Sequence, residues 1–156
     1  MKKINKRMID SVLFAILLAA VTASCAMLFT DTKSAWYENL IKPPFQPPAF
    51  VFIAGWSLIY LLFAASFSVA LYFKAGKKAY FLYALQCVFN VLWCLFFFTL
   101  HMPLLAFPAV LAYLVTTYLT VRVMFTVNKN AAYLLLVQIL WLTFASVLNY
   151  TIILLN

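Results

Sequence analysis

Apolar residues along this chain neither alternate with polar ones nor recur as the narrow stripe of a surface helix. They run in long blocks, approximately 9–29, 49–73, 79–100, 103–125 and 131–155, with short polar junctions between them. Each block holds roughly the 20 apolar residues that a helix needs to cross the hydrocarbon of a bilayer. Barrel strands are about ten residues long and alternate, so a β-barrel is excluded. The pattern predicts an all-α integral membrane protein, a five-helix transmembrane bundle forming a single domain over 1–156, with no internal repeat. The junction between the first two blocks differs in kind. Residues 36–48 read Trp-Tyr-Glu-Asn-Leu-Ile-Lys-Pro-Pro-Phe-Gln-Pro-Pro. Proline fixes φ, and the residue before it is pushed out of the helical region. A Pro-rich, ordered, extended or turning loop is predicted here, with Trp36 and Tyr37 suited to the membrane–water interface. We expect this loop to fold over the mouth of the bundle and close a pocket.

Composition sharpens the membrane reading. The chain is 68% hydrophobic and 9% charged, with a mean hydropathy of +1.05, against about 25% charged residues in soluble domains. The net charge of +8 does not indicate nucleic acid, because the basic residues sit at the junctions rather than on one face. Lys2, Lys3, Lys6, Arg7, Lys74, Lys77, Lys78, Arg122 and Lys129 fall on one side of a five-span topology, against Lys33 and Lys42 on the other. The positive-inside rule then puts the N-terminus in the cytoplasm and the Pro-rich loop and C-terminus outside. A basic start before an apolar run also describes a signal peptide, but the run is long enough to span and comparable runs follow it. Cys25, Cys87 and Cys94 lie inside apolar blocks without metal-site spacing, so they read as packing residues.

Polar residues inside the blocks are few and patterned. Gln86, Asn90, Trp93 and Phe97 share one helical face in the third block, and Gln138, Trp141, Ala145 and Asn149 share another in the fifth, with Leu148 beside it. Two amides on one face are costly toward lipid, so these faces are predicted to look inward. Gln86 reads as interhelical packing; Asn90 reads equally as packing or as a ligand handle. Trp56, Tyr60 and Phe63 form an aromatic face in the second block. Counting residues from the outer helix ends puts Trp56, Trp93 and Asn149 at about 9 Å depth, with Trp141 deeper, near the middle. Such a site suits a large, flat, conjugated ligand. Ser11, Ala15, Ala19 and Ala23 make a small-residue face for close packing, within the bundle or across a dimer. His101, the single histidine, has no partner ligand in sequence and reads as solvated or structural. No metal site, hydrolase elbow, phosphate loop or carboxylate pair is present, and Asp10, Asp31 and Glu38 all lie outside the spans.

These residues also carry a resemblance. Trp36-Tyr37-x-x-Leu40-x-Lys42-Pro43, then Pro47-Pro48 and Trp56-x-x-x-Tyr60, resembles the signature of the TspO/translocator protein family, also called tryptophan-rich sensory proteins or peripheral benzodiazepine receptors. Gln86-x-x-x-Asn90-x-x-Trp93 with Phe96-Phe97, and Trp141-x-x-Phe144-Ala145-x-x-Leu148-Asn149, extend it over nearly the whole chain. The resemblance implies a five-helix bundle, often a homodimer, that binds porphyrins such as protoporphyrin IX, and isoquinoline-carboxamide or benzodiazepine-type drugs; the three N-terminal lysines and the positive-inside pattern point to a bacterial cell membrane. Porphyrin would be a ligand or substrate; no cofactor is required. The implied ligand-binding residues are Tyr37, Pro47, Trp56, Asn90, Trp93, Trp141, Ala145 and Leu148, to which the aromatic faces add Tyr60 and Phe97 as candidates. Some bacterial members resemble catalysts of light- and oxygen-dependent porphyrin breakdown, which would make Trp56, Trp93 or Trp141 the redox-active ring. A tetrapyrrole transporter is a further alternative, against which the lack of a repeat or broken helix argues. The chain departs from the family pattern at Phe45, where Trp is usual, and at Ala54-Gly55, where Pro-Val is usual. The second departure is expected to straighten the start of that helix and alter pocket width. The C-terminal sterol pattern is incomplete.

Overall fold

The computed structural model describes residues 6–156. It contains α1 (Lys6–Phe29), a short α2 (Ala35–Asn39), α3 (Ala49–Tyr72), α4 (Lys77–Cys94), α5 (Pro103–Val127) and α6 (Lys129–Leu155). Helix α4 runs on into a π-helical turn, Leu95–Thr99. Five of these rods are long and apolar enough to cross a membrane. Their packing closes a ring, in which α1 touches α3, α3 touches α6, α6 touches α5, α5 touches α4, and α4 returns to α1. α1 is already helical at Lys6, ahead of the expected residue 9. Lys2 and Lys3, used in the topology argument, lie outside the described residues.

The connections are tight. Asn128 alone joins α5 to α6: its amide donates to Met124 O (2.7 Å) and its side chain accepts from Ala131 N (3.1 Å). Between α3 and α4 the chain reverses at Gly76, whose φ of 96° belongs to the region where only glycine is unstrained. The small-residue face of α1 is spent inside the bundle. Ser11, Ala15, Ala19, Thr22 and Ala26 are buried, and the drift from the expected Ala23 to Thr22 and Ala26 follows from a helix having 3.6 residues per turn rather than 4.

The interior divides into two apolar clusters. One gathers Ala15, Ala19, Phe63, Phe67, Tyr83 and Leu135; the other gathers Trp93, Phe97, Tyr113, Leu142, Ala145 and Leu148. A polar network crosses the middle. Gln86 donates to Thr120 Oγ1 (2.7 Å), and its own Oε1 accepts from Gln138 (2.9 Å) and Thr117 (3.2 Å). Gln138 also reaches Tyr113 Oη at 3.1 Å. The hydroxyls of Ser66 and Tyr83 lie 2.6 Å apart, and Ser66 donates to Ala131 O. In hydrocarbon such bonds are the alternative to an unsatisfied group.

Candidate functional site

Three helices each send one indole to the same place. Trp56 from α3 lies 5.4 Å from Trp93 of α4, ring centre to ring centre, and 6.1 Å from Trp141 of α6, which it meets edge-on at 89°. Both separations are those of touching aromatic rings. Tyr60, one turn along α3, lies 6.2 Å from Trp56 and donates its hydroxyl to Asn90 Oδ1 at 2.7 Å. Trp93 donates Nε1–H to Asn149 Oδ1 (3.0 Å), and Asn149 Nδ2 donates to Pro103 O (2.9 Å). Asn149 thereby ties α6 to α4 and α5. Trp93, Phe97, Asn90, Ala145, Leu148 and Asn149 are buried, while Trp56, Tyr60 and Trp141 are half-buried.

Two polar groups in this assembly have no partner. Asn90 Nδ2 and Trp141 Nε1 are both buried without a hydrogen bond. An unmade donor of this kind costs about 1–3 kcal/mol.

The segment over this end is held by rings and by its own backbone. Ser34 caps α2 by accepting from Tyr37 N at 3.3 Å. Trp36 meets Phe97 edge-on at 5.8 Å and stacks on His101 at 4.4 Å with the planes 13° apart. Tyr37 packs 5.5 Å from Phe98, with Lys42 Nζ 4.7 Å from its ring centre. Gln46 Nε2 donates to the Tyr37 hydroxyl at 3.4 Å. Burial pushes the Tyr37 phenol above its ordinary value, and the Gln46 bond partly opposes that. Pro43 is buried and Pro47 half-buried. Asn156 clips the segment to α6: its Oδ1 accepts from Ile41 N (2.9 Å) and its Nδ2 donates to Ile41 O (3.1 Å).

Trp56, Tyr60, Asn90, Trp93, Phe97 and Trp141 therefore come together, but not as walls around an open space, while Tyr37 and Pro47 belong to the segment above them. Trp56, Trp93 and Trp141 touch one another. A void beside them, lined by Thr22, Tyr60, Phe63, Cys87 and Tyr113, has no room for a water. The open volume, about 440 Å³, lies between α3 and α6, along Val51, Ala54, Leu58, Val137, Leu140 and Phe144. Gly55 and Trp141 form its floor. Trp141 is also less deep relative to Trp56 than residue counting implies. That count treats the outer helix ends as coplanar, whereas α6 runs on past the start of α3 to reach Ile41. Sequence reasoning missed the Trp36–His101 stack, the π turn carrying Phe97, and the seat that Gly55 provides for Trp141.

The TspO/MBR family model matches residues 12–155. The chain belongs to the TspO/MBR family. Among curated TspO/MBR-type relatives, it is 33% identical to the tryptophan-rich protein TspO of Archaeoglobus fulgidus over 150 residues, covering 92% of this chain and 96% of that protein. It is 29% identical to a tryptophan-rich sensory protein of Cereibacter sphaeroides, covering 94% of this chain and 93% of the relative. Translocator protein 2 of Canis lupus familiaris is 33% identical over 74% of this chain and 70% of its own length.

Proposed function

We propose that this TspO/MBR protein is a membrane receptor or sensor for a flat conjugated ligand, a porphyrin of the protoporphyrin IX type. On the same reading, isoquinoline-carboxamide and benzodiazepine-type molecules compete for the site. One observation carries the proposal: three indoles from three helices meet beside two buried N–H donors that the protein leaves unpartnered. The indoles offer faces for offset stacking on a planar ligand, and the two donors offer it hydrogen bonds that nothing else takes. Binding requires the rings to part, since Trp56 touches both other indoles. Lys42, held near the Tyr37 ring, is placed to meet a ligand carboxylate at the rim. Pro47 and Phe97 position the cover and the wall, while Ala145 and Leu148 keep the α6 side smooth.

The same proposal places the protein in a bacterial cell membrane as a homodimer, with the N-terminus cytoplasmic and the C-terminus and the 30–49 segment outside. The small-residue face of α1 is consumed within the bundle, so the dimer uses a different surface. A C-terminal reporter active only in the cytoplasm is expected to stay silent.

Quenching of tryptophan fluorescence by protoporphyrin tests the site. Trp56→Phe and Ala145→Phe are expected to weaken binding, and unchanged affinity in both would refute it. Illuminating the complex separates receptor from photo-oxidative enzyme. A new absorbing product formed by wild type and lost in the tryptophan variants would move the assignment to the enzyme.

A further inference from the structure

Gly55 stands on α3 immediately before Trp56, facing α6. A Cβ built there would overlap the six-membered ring of Trp141, so the indole occupies the space that any other residue would fill. The Trp141 ring has two neighbourhoods. Toward the interior it abuts Trp56 edge-on. Toward the outside it floors the open groove of about 440 Å³ between α3 and α6. That groove is almost wholly apolar, and its rim residues Ala54, Leu58, Val137 and Leu140 are exposed. In a membrane protein this exposure is to lipid. The volume falls in the range of about 300–1,000 Å³ typical of small-molecule sites. The ring is seated without a hydrogen bond, since its buried Nε1 has no partner. It is held by packing against Phe52 and Phe144. Access from the aqueous side is, by contrast, fastened by the Ile41–Asn156 pair and the Trp36–His101 stack.

We propose that Trp141, lying across Gly55, is a lateral door: the flat conjugated ligand reaches the indole site from the bilayer, through the groove between α3 and α6. This rests on the receptor reading above. The groove is the waiting position and the three-indole cluster the final one. Moving one unbonded indole breaks no hydrogen bond, whereas lifting the 30–49 segment breaks several contacts. Gly55 makes the door possible because it alone lets the ring close flush with the helix.

The test is the kinetics of protoporphyrin binding to the protein in lipid nanodiscs. Ala54→Trp obstructs the groove from its exposed rim and is expected to slow association and dissociation together by about tenfold, leaving the dissociation constant unchanged. Gly55→Ala unseats the ring and is expected to speed both rates. Cross-linking Ile41→Cys to Asn156→Cys with a short bis-maleimide, in a background lacking Cys25, Cys87 and Cys94, is expected to leave association within about twofold. Loss of association on cross-linking, with Ala54→Trp unaffected, would overturn the door in favour of a route under the loop. Failure of wild type to bind protoporphyrin at all would instead sink the receptor reading. The door is then judged by lipid alone. With Trp36, Trp56 and Trp93 changed to Phe, bromine-labelled acyl chains are expected to quench Trp141, and more strongly in Gly55→Ala. A Trp141 that such chains cannot quench in either protein would overturn it.

Discussion

Around Gln86 the bundle answers its buried polar groups with one another; around Trp56 it leaves two donors waiting. In the first region Gln86 makes bonds through both ends of its amide, to Thr120, Thr117 and Gln138 from two other helices. Only Gln138 Oε1 is left over. In the second region Tyr60 and Asn149 satisfy some groups, yet Asn90 Nδ2 and Trp141 Nε1 go without. The difference separates an interior whose amides hold helices together from one that leaves two donors unpartnered beside its indoles. The same carboxamide group serves both regions, as Gln86 and Asn90 sit one turn apart on α4.

Substitutions can widen or erase this contrast. The largest effect is expected from Trp93→Ala, which removes a buried ring touching Trp56, Phe97 and Phe98 and its bond to Asn149. A loss of about 3–5 kcal/mol in SDS-titrated unfolding is expected, together with loss of porphyrin quenching. Gln86→Leu is expected to cost about 1–2 kcal/mol while leaving porphyrin affinity as it was; weakened binding would show that the two regions are not separable. Asn90→Leu reverses the pattern. The bond to Tyr60 is lost but an unpartnered donor goes with it, so stability is expected to change by less than about 1 kcal/mol. Affinity is expected to fall by about tenfold, some 1.4 kcal/mol. A stability loss as large as that of Gln86→Leu would mark Asn90 as mere packing.

The smallest effect concerns the cover. Tyr37 is protonated and neutral when buried, and its folded-state value is raised above the free phenol. Its contribution is therefore fully present below about pH 10 and is lost as pH rises through the folded value. Amide exchange at Ile41, corrected for intrinsic rate, is expected to show no Tyr37-dependent change with pH between about pH 6 and 8, and Tyr37→Phe is expected to be equally flat with pH there.

The spans were legible because length and hydropathy suffice to mark them, and the inward faces of α4 and α6 were legible because i, i+4 and i+7 spacing survives in a regular helix. That logic put Gln86, Asn90 and Trp93 on one buried stripe. It failed where a quantity depends on two helices at once. The level of Trp141 relative to Trp56 depends on how far α6 overshoots α3, which neither helix encodes alone. The seating of Trp141 against α3, where it lines the α3–α6 groove, depends on Gly55. Its signal was present, since it is one of two glycines in the chain and lies within a helix, but a missing Cβ does not announce which neighbour fills its space. The Trp36–His101 stack had no local signal at all. His101 reaches it through a backbone with φ of 56°, just beyond the wide turn that ends α4.

That wide turn has a mechanical meaning. The π-helical stretch Leu95–Thr99 carries one residue more than an ordinary coil would need. If it tightened to an α-helical path, everything beyond it would swing by roughly 100° about the axis. Phe97 and Phe98 would leave Trp36 and Tyr37, and Thr99 would leave the Phe29 carbonyl that it now holds at 2.9 Å. A single spare residue thus sets the angle at which the end of α4 meets both α1 and the 30–49 segment.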